Sequence, residues 1–155
     1  MSSKLITARL KSFPPEQSQV LLGSAEEAFA KVGTLIEQCK FRAALREVIA
    51  VAENGNRYFH EKEPWVKIKD EKKRDEVEHD LAVVLHLIKS LSTLIYPFLP
   101  RTAKNIDDIF GILTEKNSWG YVQPSVKQSV GTVTPLFKKI DDDQIAQELE
   151  KLGSS

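Results

Sequence analysis

From Val77 to Ile95 the apolar residues Val77, Leu81, Val84, Leu85, Ile88, Leu91 and Ile95 return near heptad spacing, and Pro97 and Pro100 follow directly. That spacing lays one apolar stripe along a helix, the pattern by which helices pack into bundles. Strict alternation of apolar and polar residues with clustered β-branched side chains is nearly missing, so the chain offers little from which strands could form. The fold this predicts is all-α. A bundle of about five to six helices in a single domain over residues 1–155 suits a chain of this length with one core.

Further helices follow from the same reasoning. An opening helix from about Lys4 to Phe13 carries Leu5, Ile6, Arg9 and Leu10, is stopped by Pro14 and Pro15, and is expected to be truncated at its N-terminus. Ser24 followed by Glu27 reads as a capping box that starts the next helix, with the stripe Ala28, Phe29, Val32, Leu35, Ile36 and Cys39. Cys39 reads there as a small buried hydrophobe. A third helix from Phe41 presents Ala44, Leu45, Val48, Ile49, Val51, Ala52, Gly55 and Phe59, a face wide enough for two neighbours, and is limited by Pro64. A lysine-rich connection, Lys67 to Arg74, leads to the heptad helix. Thr102 is placed as the cap of a short helix running through Ile106, Ile109 and Phe110 to about Leu113. Asn117, Gly120, Pro124, Gly131 and Pro135 punctuate an irregular segment near 114–140. Asp141, Asp142 and Asp143 supply a cap and favourable charge for a last helix with Ile145, Leu149 and Leu152.

Charge narrows the function. Lysine plus arginine number 22 and aspartate plus glutamate 22, a formal net charge of zero, which argues against a generic polyanion binder and confines any nucleic-acid role to a local site. One cysteine excludes an internal disulfide framework and zinc sites built from paired cysteines. The most apolar segment, Leu81 to Leu99, is interrupted by His86, Lys89, Ser90, Ser92 and Pro97 and falls short of a membrane span. The start, Met-Ser-Ser-Lys-Leu, has no apolar signal-peptide region, so a cytoplasmic location is expected, with no membrane partner.

Catalytic signatures are missing. Glu76 and His79 have the Glu-x-x-His spacing of di-iron bundles, yet no second pair exists, so the two read as a solvated first turn and no metal site is expected. His86 between Leu85 and Leu87 reads as a hydrogen-bonded core histidine. His60 lies near Trp65 without a recognisable nucleophile, and neither glycine-rich phosphate motif occurs. Trp65 follows a proline at a helix end, which holds the ring stiffly. Two readings stay open: the indole plugs the end of the bundle, or it stacks on an unpaired base in a single-stranded loop. Arg57, Lys67, Lys69, Lys72, Lys73 and Arg74 could then meet phosphates, diluted by Glu61, Glu63, Asp70 and Glu71.

The same region carries a resemblance. The stretch from Ala43 to Ala52, then Asn56-Arg57-Tyr58 and Pro64-Trp65, closely resembles the C-terminal helical, anticodon-binding domain of methionyl-tRNA synthetases, which are class I aminoacyl-tRNA synthetases. Tyr96-Pro97-Phe98-Leu99-Pro100 with Thr102-Ala103 is similar to the end of that family's next long helix. The run Pro135 to Ile140 is similar to its extended segment before the terminal helix, at about 135–152. The resemblance implies that Trp65 stacks on a base of the CAU anticodon, its first, with Pro64 fixing the ring. His60, at a position where many members carry an acidic residue, and Arg57 complete the implied anticodon-binding set. An Asn-x-x-x-Arg pair that the family uses on its opening helix has no counterpart here.

The resemblance also implies partners: initiator and elongator methionine tRNA and the catalytic domain of a parent synthetase, not DNA. No His-x-Gly-His or Lys-Met-Ser-Lys-Ser motif is present, so the chain by itself is expected not to be an enzyme and to need no cofactor. ATP and methionine would bind the catalytic domain of the parent, a methionine-tRNA ligase. The alternative from a different class is a free-standing helical interaction module that binds a protein partner.

Overall fold

The computed structural model describes residues 16–110, 119–120, 133–137 and 140–153, and among these it is helical throughout its core. Six α-helices appear in chain order: α1 Glu16–Glu37, α2 Phe41–Lys62, α3 Pro64–Lys67, α4 Arg74–Ile95, α5 Pro100–Phe110 and α6 Asp142–Gly153, with a 3-10 turn at Glu71–Lys73. The all-α bundle expected from the apolar period is the fold observed. The helix expected at Lys4 to Phe13 lies outside the described residues.

Ser24 does not start a helix. α1 is already helical from Glu16, and the Ser24 hydroxyl donates back to the Leu21 carbonyl at 2.8 Å. The face of α1 that is buried begins at Ser18 and continues through Leu21, Ala25, Ala28, Phe29 and Val32. A serine three residues before a glutamate has the same spacing mid-helix as at a cap, and the burial of Ser18 and Leu21 decides between the two.

The other end of α1 overturns the reading of Cys39. The amide of Lys40 donates to Leu35 and that of Cys39 to Ile36, each at 2.8 Å, the paired bonds of a Schellman ending. Such an ending needs one left-handed residue after the helix, and Cys39 takes that role with φ 57°. Its side chain therefore leaves the apolar stripe and is exposed.

α2 returns against α1 and buries Ala44, Val48, Val51, Gly55 and Tyr58. Its apolar face is narrower than expected, since Ile49 stays about half exposed. Gly55 is required by a close approach: a Cβ there would lie 2.2 Å from Leu87 Cδ2.

α4 is the central helix, packed against α1, α2, α3 and α5. Its deepest line is Val83, Leu87, Ser90 and Leu94, all at 2% exposure or less, whereas Leu81, Val84, Ile88, Leu91 and Ile95 are only partly buried. The expected stripe is thus rotated. Neighbours on several sides bury His86, as expected, and with it His79, Asp80, Ser90 and Ser92, which an apolar-only pattern leaves out. The Ser92 hydroxyl ties α4 to α5 through the Ala103 carbonyl at 3.1 Å and Asp107.

Pro100 both follows α4 and opens α5, because a proline fits the first helical position where its missing amide is not needed. Thr102 consequently sits inside the first turn and is not the cap. In the region expected to be irregular, Trp119 docks on α1: its Nε1 donates to the Phe29 carbonyl at 3.2 Å, the two rings stand 5.5 Å apart edge to face, and Gly33 leaves room for the indole. α6 starts as expected at the aspartates, with Gln144 Oε1 accepting from the Asp141 amide at 3.2 Å. Its Ile145, Leu149 and Leu152 are exposed.

Candidate nucleic-acid interface

The tip of the bundle is made where α2 ends. Glu63 takes a left-handed φ of 44°, which breaks the helix before Pro64 restarts it. Pro64 is buried and begins the one-turn helix α3. Trp65, the next residue, is 46% exposed.

Two aromatic rings brace the indole. Phe59 lies 5.4 Å from it at 62° and His60 5.7 Å at 75°, both edge-to-face arrangements. The ring is therefore held, while the residue as a whole stays close to half exposed. His60 and Pro64 share this site with Trp65, as the sequence suggested, and Phe59 joins them. Phe59 was legible only as part of the apolar face of α2; its contact depends on the helix break at Glu63.

Arg57 lies one turn back on α2. Its guanidinium donates to Asn54 Oδ1 at 2.6 Å, and it lines a cleft of about 360 Å³ between α1 and α2 with Val20, Ser24, Tyr58 and Glu61. The other basic residues divide. Lys67 is engaged by Glu76 and Asp80, and Arg74 by Glu78, while Lys69, Lys72 and Lys73 are exposed on the segment that follows Trp65.

Beneath the tip runs a chain of buried polar groups that the sequence did not reveal. Tyr58 donates its hydroxyl to Asp80 Oδ1 at 2.8 Å. Its only proton is thereby used, so Ser18 Oγ, 3.0 Å away, must donate to the phenol oxygen. The serine oxygen then accepts from His79 Nε2 at 3.3 Å, which assigns the proton of that ring to Nε2. Burial is the first cause, with the Asp80 bond adding to it, that raises the Tyr58 phenol well above its ordinary range. His79 is thus buried, not on a solvated turn, and Glu76 turns the other way to Lys67, so the Glu-x-x-His spacing does not bring the two to one ligand. Among the described residues no three histidine, cysteine, aspartate or glutamate side chains come together to hold a metal ion.

The bond to Glu76 raises the Lys67 ammonium, and the same bond lowers the Glu76 carboxyl. The site therefore offers fixed charge pairs, a braced aromatic ring and exposed lysines. It is equipped to bind.

A family model described as the anticodon binding domain of methionyl tRNA ligase matches residues 12–155. The chain belongs to this family. The methionine–tRNA ligase of Pyrococcus furiosus is 36% identical over 130 residues, covering 84% of this chain and 18% of that protein. The enzyme of Dehalococcoides mccartyi strain CBDB1 is 36% identical over 117 residues, 74% of this chain and 21% of that protein. The chain thus spans about a fifth of the length of these curated relatives. In fold it is similar to the free-state Mycobacterium tuberculosis methionyl-tRNA synthetase, with a TM-score of 0.76 and 20% identity over 87% of this chain and 28% of that one. These likenesses cover the anticodon-binding domain of a ligase, and among the described residues no helix is long and apolar enough to cross a membrane.

Proposed function

We propose that this anticodon-binding domain reads the CAU anticodon of initiator and elongator methionine tRNA by stacking the indole of Trp65 on the first anticodon base. The observation that carries the reading is the position of Trp65: held by edge-to-face contacts with Phe59 and His60, yet 46% exposed at the tip of the bundle. An exposed aromatic face exchanges water for an unstacked base at a gain of roughly 1–3 kcal/mol. Pro64 fixes the backbone beneath the ring, His60 stands beside it for a base-edge contact, and Arg57 with Lys69, Lys72 and Lys73 faces the phosphates. In the parent ligase the domain would hold tRNA so that its acceptor end reaches a catalytic domain that binds ATP and methionine; the domain contributes specificity and the catalytic part the chemistry.

Titration with anticodon stem-loops bearing CAU and a first-base variant tests this. The CAU loop should bind more tightly, and its affinity should fall steeply as salt is added. Equal affinity for both loops would remove the reading. The exposed Ile145, Leu149 and Leu152 on α6 favour a second reading, a module that holds a protein partner through apolar contact. Binding by that route would change little with salt.

A further inference from the structure

We propose that Lys67 is a positioning residue for Trp65: by placing its ammonium between Glu76 and the buried Asp80 it clamps α3 onto α4 and thereby sets the indole outward at the tip. The proposal rests on the reading of Trp65 as the anticodon-stacking ring.

The need for a clamp follows from the size of α3. Its four residues make too few internal hydrogen bonds to hold a helix in water, and its first turn has no side-chain cap. Something outside it must fix its orientation. Asp80 is 2% exposed, its Oδ1 is taken by Tyr58, and its Oδ2 accepts no hydrogen bond among the described residues. A carboxylate so placed needs a cation close by. The Lys67 ammonium stands 3.7 Å from that oxygen and donates to Glu76 Oε1 at the rim. The buried charge therefore draws in the last residue of α3.

Helical geometry then settles where the ring goes. Trp65 and Lys67 are two residues apart on a single turn, about 200° around the axis. Pulling the lysine inward to α4 turns the tryptophan outward, where Phe59 and His60 meet it edge to face. Lys67 is engaged on its inner side and is not the phosphate contact that a basic run suggests.

The test uses the full chain with Trp119→Phe, so that Trp65 is the only tryptophan and is excited selectively at the red edge of its absorption, and compares Lys67→Met, Lys67→Arg and Glu76→Gln. Lys67→Met should raise acrylamide quenching of Trp65 and lower its fluorescence anisotropy. Lys67→Arg should restore part of both, and Glu76→Gln, which leaves Asp80 its cation, should move them less in the same direction. Affinity for the CAU stem-loop should fall by about 5-fold or more in Lys67→Met, within the range that loss of base stacking covers. Adding Lys67→Met to Trp65→Ala should cost nothing further, because the lysine acts through the ring. Unchanged quenching overturns the proposal, and so do additive losses with a salt slope reduced by one, the mark of a phosphate contact. If Lys67→Met does not fold, Lys67→Arg and Glu76→Gln decide it by the same readouts. If the parent chain binds no stem-loop, the anticodon reading fails, while quenching still decides the clamp.

Discussion

Tyr58 donates its hydroxyl to Asp80 Oδ1 across 2.8 Å, joining α2 to α4 at a point where both side chains are nearly closed to water. The bond completes a chain from His79 through Ser18 to the carboxylate, and Lys67 meets the other carboxylate oxygen. A polar relay of this kind is stabilising only while every member has its partner.

Tyr58→Phe removes the group that serves both Ser18 and Asp80 and keeps the ring. The variant should lose about 1–3 kcal/mol of unfolding free energy, the cost of leaving a buried acceptor unmatched. Urea unfolding followed by far-UV circular dichroism reads this as a lower midpoint with an unchanged slope. A midpoint equal to that of the parent would mean that water replaces the hydroxyl without loss.

Stability should fall between pH 7 and pH 5 because of His86. Burial, with Lys89 nearby, lowers its pKa from 6.5 to about 4. The unfolded chain therefore binds a proton in this window that the folded chain refuses, so the folded state is favoured above the unfolded value and loses ground as pH drops toward the folded one. The expected loss from pH 7 to pH 5 is roughly 2 kcal/mol. Urea midpoints across that range should slope with pH in the parent and flatten in His86→Leu; parallel profiles would contradict the assignment.

Gly55→Ala sets two effects against each other. Alanine favours a helix interior by about 1 kcal/mol. The added methyl, however, would meet Leu87 Cδ2 at 2.2 Å, and Leu87 is 2% exposed with packed neighbours. Overpacking of that kind costs about 1–3 kcal/mol, so the net effect should be a small destabilisation. Combining it with Leu87→Ala should recover part of the difference, because the clash has been removed. A more stable single variant would show that Leu87 finds another rotamer.

Trp65→Ala should weaken binding of the CAU stem-loop by about 5-fold to 100-fold, the equivalent of one lost stack. Its thermal midpoint should change little, since the residue is close to half exposed. Isothermal titration beside a melting curve separates the two quantities. Full affinity in the variant would assign recognition to another surface.

Parts of the site were readable before any coordinates. Pro64 next to Trp65 at the end of a helix marks a stiff aromatic tip, and the structure brings Pro64, Trp65 and His60 together there. Arg57, also expected at the site, lies one turn back on α2 with its guanidinium bonded to Asn54 at the α1–α2 cleft. The lysine-rich run reads as uniform, and only packing separates Lys67, drawn onto α4, from Lys69, Lys72 and Lys73 in water.

What the sequence determined by itself was the helical class and most helix limits, because the apolar period and the prolines act through the local backbone. α2 and α4 lie where that period puts them, between Phe41 and Pro64 and ahead of Pro97. The apolar stripes also named much of the core, Phe29, Val32, Val48 and Val51 among it, but the tertiary structure alone decided which further residues joined them. Ser18 meets Tyr58 across 40 residues and His79 across 61, and those contacts make buried places for polar side chains that no local pattern anticipates. Cys39 went the opposite way for a related reason: the turn between α1 and α2 needed a left-handed residue, and backbone geometry outweighed its place on the apolar stripe.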